Sequence, residues 1–122
     1  MAKQITVECS DELAALLEQA LRWFVDTHYP HGADECSIAA REALLDLAAR
    51  FADELAATGR CVYSSRVRAF LSEALNTYTL HLERASGDDW TQRRAVLIAV
   101  GRGQSRGEDY AEAALRDRDA AG

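Results

Sequence analysis

Proline is nearly missing from these 122 residues: Pro30 stands alone, which excludes collagen-like and proline-rich disordered chains. Glycine is sparse too, at seven. The three cysteines, Cys9, Cys36 and Cys61, are odd in number and widely spaced, so they form neither a disulfide scaffold nor a CxxC pair. No apolar run approaches the ~18 residues of a membrane span. The longest, Ala95 to Val100, has six. Met1-Ala2-Lys3-Gln4 leads into an alternating polar segment rather than a signal-peptide pattern. Reduced thiols in a cytoplasm are therefore expected, with no membrane partner.

What is present describes an ordinary globule, 48% apolar and 28% charged. At 13.4 kDa there is room for one domain over residues 1–122, which buries roughly two-thirds of its unfolded surface. A net charge of −6 argues against a dedicated nucleic-acid binder. That charge is uneven: residues 1–59 carry four cations and eleven acids, net −7, and residues 60–106 carry eight arginines and four acids, net +4.

Lys3 to Cys9 alternates polar and apolar, which reads as a short strand. Ser10 supplies an N-cap, and Asp11-Glu12 suit the positive end of a helix. Leu13, Leu16, Leu17, Ala20, Leu21 and Phe24 then follow helical spacing, widened by Trp23 and Val25 to more than half the circumference. Such a helix touches two neighbours. It ends near Thr27-His28, ahead of Pro30. A second helix spans about Cys36 to Ala57, with Leu44, Leu45, Leu47, Ala48, Phe51 and Leu55 on one side and Gly59 as its stop. Arg60 to Tyr63 reads as an extended link.

Ser64 or Ser65 caps a third helix with the stripe Val67, Phe70, Leu71, Ala74, Leu75, Tyr78 and Leu82, ended by Gly87. Asp88-Asp89-Trp90 opens a fourth segment whose heart, Ala95 to Val100, is apolar all round. Helix is preferred there over strand because Thr91 to Arg94 run into it without a break. Gly101, Gly103 and Gly107 read as a flexible stretch. Tyr110 to Asp119 makes a short helix anchored by Tyr110 and Leu115. The expected fold is mainly α: an antiparallel bundle of four to five helices with one short N-terminal strand, residues 107–122 docking weakly.

Three sets of residues hold possible chemistry. His28, His31 and Cys36, joined by Cys61 or His81, are zinc-donor types, although a closed site needs four and only three are local. No cofactor or metal is expected. Arg22 and His28, followed by Tyr29, resemble the motif of small helical RNA-cleaving toxins of the HEPN class. The resemblance implies His28 as general base and Arg22 at the cleaving phosphate. Trp23 stands where that family carries a polar residue, and the six-residue spacing sets the two side chains about 120° apart on one helix.

Separately, Ile5 to Leu13, a short strand leading into a capped helix, resembles the opening of ribbon-helix-helix DNA-binding repressors. Ala57-Thr58-Gly59-Arg60 through Ser64-Ser65-Arg66 is similar to the helix–turn–helix part of such antitoxins. The resemblance implies a regulator that presents Gln4, Thr6 and Glu8 to DNA, where the Glu8 carboxylate repels phosphate. His81, in the apolar arc of the third helix beside Phe70 and Ala74, reads as a partly buried, hydrogen-bonded histidine. The glycines at 101, 103 and 107 lack the strand-to-helix context of a phosphate loop.

The leading expectation is a small non-enzymatic cytoplasmic protein that acts through protein contacts, of the inhibitor, immunity or adaptor type found on bacterial mobile elements. A DNA-binding regulator comes next, then an RNA-cleaving or metal-binding protein. A homodimer or larger is expected, because the first helix and Ala95–Val100 carry more apolar surface than a small monomer covers. The contact surface is placed on Trp90, Arg93 and Arg94. Trp90 and Arg94 share a helix face, Arg93 flanks it, and both residue types dominate interface energetics.

Overall fold

Ile5 and Val7 have a core to enter, and their alternation with polar neighbours makes strand β1 (Gln4–Glu8). The structure, a computed structural model, describes residues 3–29 and 34–121. β1 pairs antiparallel with β2 (Arg60–Ser64) in the register Gln4↔Ser64 through Glu8↔Arg60. The stretch read as a link is therefore the second strand of a hairpin-like pair. Its Cys61 and Tyr63 point into the core.

Ser10 caps α1 (Asp11–His28), its hydroxyl accepting the Leu13 N–H. Asp34 caps α2 (Glu35–Arg50), accepting the Ser37 N–H at 2.9 Å, so this helix starts a residue earlier than its apolar spacing suggests. It runs on through a π-helical turn, Phe51–Leu55, and a last α turn, Ala56–Thr58. Across the π turn Arg50 donates to the Val62 carbonyl, and the Cys61 thiol donates to Glu54 Oε2 at 2.9 Å. The helix end is thereby tied to β2. Gly59, at φ +73°, closes it.

The outer edge of β2 is met by side chains. Arg50 takes the Val62 carbonyl, while Thr58 Oγ1 accepts the Arg60 N–H at 3.3 Å and lies 3.0 Å from its carbonyl oxygen. On the far side of β1, Gly103 sits so close that a Cβ there would come within 2.9 Å of the Thr6 carbonyl oxygen.

Ser64 caps a 3-10 turn, Ser65–Val67, rather than the next helix itself, and α3 (Arg68–Ser86) follows. Leu71, Ala74 and Leu75 are buried, while Phe70, Tyr78 and Leu82 of the expected stripe are half-buried. Ala95 to Val100 lies in a helix, α4 (Thr91–Gly101). Gly101 belongs to that helix and not to a flexible stretch. A Cβ on it would approach Leu75 Cδ1 at 3.0 Å and Leu71 Cδ2 at 3.2 Å, so its bareness lets α4 close on α3. Tyr63 donates to its carbonyl at 2.5 Å.

The last helix, α5 (Tyr110–Ala121), buries Ala113. Leu115, expected as an anchor, is 56% exposed. α1 packs against both α2 and α3, α3 against α4, and α4 against α5 and β1. Among the described residues 75% are helical. The mainly helical expectation holds, with two strands in place of one.

Leu71 is fully buried and Leu115 is not. Leu71→Ala should cost about 2–5 kcal/mol in urea unfolding, and Leu115→Ala a small fraction of that. Equal losses would mean that the assigned helical faces are wrong.

Burial also favours three protonated groups. It pushes the Cys9 thiol from 9.0 up to about 11, the Cys61 thiol to about 12, and the Tyr63 phenol from 10.0 to about 12. The folded chain thus holds these protons where the unfolded chain releases them. That stabilisation is intact below pH 9 and is lost as pH rises through 11 to 12. Urea midpoints should fall steadily over that window; a flat profile would contradict the burial. Cys36 is exposed, so a thiol reagent should label one cysteine in the folded chain and three after unfolding.

Candidate functional site

Asp117 organises the start of α4. The first N–H groups of a helix have no partner within it. Here Asp89 Oδ1 accepts from Thr91 at 2.9 Å, while Asp117 accepts from Gln92 at 2.8 Å and from Arg93 at 2.9 Å. The Thr91 hydroxyl and N–H hold the Asp89 carboxyl below its ordinary value. Asp117 comes from α5, and its side chain is 1% exposed. This buried, charge-assisted contact is what fastens the last helix to the start of α4.

The three residues expected to make contacts meet at this point, and two of them turn inward. Arg93 Nε reaches Asp117 at 3.1 Å, its Nη2 reaches the Asp89 carbonyl at 2.6 Å, and its guanidinium lies 3.9 Å from the centre of the Trp90 ring. Arg94 pairs with Glu83 at 2.7 Å and donates to the Thr79 hydroxyl at 2.9 Å. The other Glu83 oxygen accepts the Trp90 N–H at 3.0 Å. Both guanidiniums therefore fasten α4 to its neighbours, and Trp90 is the member that opens outward.

Trp90 lines a groove of about 240 Å³ with Tyr110 and with Glu12, Leu16 and Gln19 of α1. Tyr78 continues this surface, its hydroxyl lying 3.5 Å from Gln19 Oε1 and its ring 5.6 Å from Trp23. Beyond it, a second groove of about 300 Å³ is lined by Trp23, His28, Leu80, His81 and Arg84. His81 stacks on Trp23 at 5.0 Å and 27°. It is exposed against that ring, not set among Phe70 and Ala74 as its helical position suggested. His28 stacks on Phe24 at 4.4 Å and meets Trp23 edge-on at 6.2 Å.

Glu12, Leu16, Gln19 and Trp23 fall on one side of α1. The face between them is about 16 Å long at 1.5 Å per residue. Four half-buried aromatics, Trp23, Tyr78, Trp90 and Tyr110, lie along this face. In the sequence Trp23 and Tyr78 read as parts of core stripes and Tyr110 as a helix anchor, whereas Trp90 is already placed on the contact surface. The overlooked signal was the mixing of polar and aromatic types at Glu12, Leu16, Gln19 and Trp23.

The other candidate residues are dispersed. Arg22 is exposed and paired with Glu18 at 2.9 Å, whereas the cation in the groove with His28 is Arg84. Cys36 is exposed at the start of α2, Cys61 is buried on β2, and His31 lies outside the described residues. Among the described residues no group of three or more His, Cys, Asp and Glu is placed to hold a metal. For the repressor resemblance, one edge of β1 is paired within the chain and the other faces Gly103. Gln4 is exposed, and Glu8 lies 3.5 Å from Arg106. No protein-family model, curated protein or solved structure matches the chain.

Asp117→Ala leaves two buried N–H groups and Arg93 without their acceptor. It should cost about 1–3 kcal/mol and expose Arg116 and Arg118 to trypsin under native conditions. An undiminished melting temperature with protected arginines would show that the contact contributes nothing.

Proposed function

We propose that this protein is a non-enzymatic binding protein that acts through protein contacts, with the aromatic face of α1 as its contact surface. The observation that carries the reading is the alignment of Trp23, Tyr78, Trp90 and Tyr110 along one open face, with Arg84 at its margin and Arg93 stacked on Trp90. Large amphipathic rings and guanidiniums contribute most per residue at protein interfaces. Rings already fixed by stacking lose little freedom on docking. Trp90 remains part of the surface with Arg93 backing its ring, while Arg94 serves it by holding Glu83 and, through it, the Trp90 backbone.

Small size and acidity fit an inhibitor, immunity or adaptor protein of a bacterial mobile element, working in the cytoplasm. A second reading rests on His28, His81 and Arg84 sharing one groove. Two imidazoles and a guanidinium can move a proton and neutralise a phosphate, as RNA cleavage requires. Cleavage of a model RNA that disappears with His81→Ala would favour it.

The contact reading is tested by placing a photo-crosslinking residue at Gln19, on the face, or at Glu42, exposed on α2, in the native host. Covalent protein adducts should form from position 19 and not from position 42. Equal yields, or none from position 19, would sink the proposal.

A further inference from the structure

We infer that the occupant of the α1 face is a second copy of this chain, packed antiparallel about a two-fold axis; this rests on the contact reading above. The face is polar along its length. At the Trp90 end its lining carboxylate is Glu12, and the Arg93 guanidinium behind the Trp90 ring is neutralised by Asp117. At the Trp23 end the charged and titratable lining residues are Arg84, His28 and His81. Asp26 is the nearby acid there on α1, and Arg22 is already paired with Glu18. Between the ends the face is uncharged: Leu16, Gln19 and Tyr78.

A two-fold axis through that middle turns the acidic end of one copy onto the basic end of the other. Because such an interface is isologous, the favourable pairing is made twice. A parallel arrangement would set Glu12 against Glu12 and Arg84 against Arg84. The stacked rings of Trp23 and His81 would then lie opposite the partner's Trp90 and Tyr110, so apolar area meets apolar area.

Sedimentation equilibrium at rising micromolar concentration should give twice 13.4 kDa for the unaltered chain, with association weakening as salt rises. Glu12 and Arg84 are both exposed, so Glu12→Arg and Arg84→Glu should each leave the chain folded, with the same helical circular-dichroism spectrum, while each alone is monomeric. Mixed in equal amounts, the two variants place opposite charges at both ends again and should form a one-to-one heterodimer. The double variant should recover the homodimer. A monomeric wild type, or single variants that associate as well as it does, would overturn the inference, as would a mixture that stays monomeric. If the wild type is monomeric and position 19 crosslinks to a different protein, the second copy is excluded and the contact reading stands. If position 19 yields no adduct, that reading fails as well.

Discussion

A single carboxylate ties the last helix to the start of α4. Asp117 is removed from water and must find donors within the protein, since an unpaired buried charge is far costlier than a paired one. It finds them in the first turn of α4, where two backbone N–H groups and the helix's positive end await an acceptor. Arg93 completes the neutralisation and in doing so lies flat on Trp90. From that point the positions of α5, the ring of Trp90 and one end of the aromatic face all follow.

The two arginines show how adjacent residues on a helix divide their work. Successive positions are turned by about 100°, so Arg93 and Arg94 cannot serve one neighbour. Arg93 reaches α5, and Arg94 reaches Glu83 and Thr79 on α3. Together they fix α4 from two directions. Thr79 is fully buried and is satisfied by donating to the Leu75 carbonyl at 2.7 Å while accepting from Arg94.

Local periodicity made the helices legible. Leu13 through Phe24, Leu44 through Leu55 and Leu71 through Leu75 sit where a 3.6-residue repeat places them. Features that depend on distant partners were not legible. Arg60 to Ser64 is short, with polar ends, and becomes a strand because β1, more than fifty positions earlier, pairs with it. Asp117 looks like one more surface acid until Gln92 and Arg93 are brought to it. The contact face was hidden for a related reason. Trp23 and Tyr78 each fit a core stripe, and a helix wheel cannot show that the grooves they border stay open. Trp90 was recognisable by residue type, but the inward turn of Arg93 and Arg94 was not.

In a two-stranded sheet every strand is an edge, and bare edges recruit further strands without limit. Here Thr58 and Arg50 occupy the backbone of β2, and Gly103 crowds Thr6 on β1. Growth by backbone pairing is therefore blocked on both sides. Further strands find few free backbone groups here, and side chains on a shaped face are left as the route by which the chain can meet another molecule.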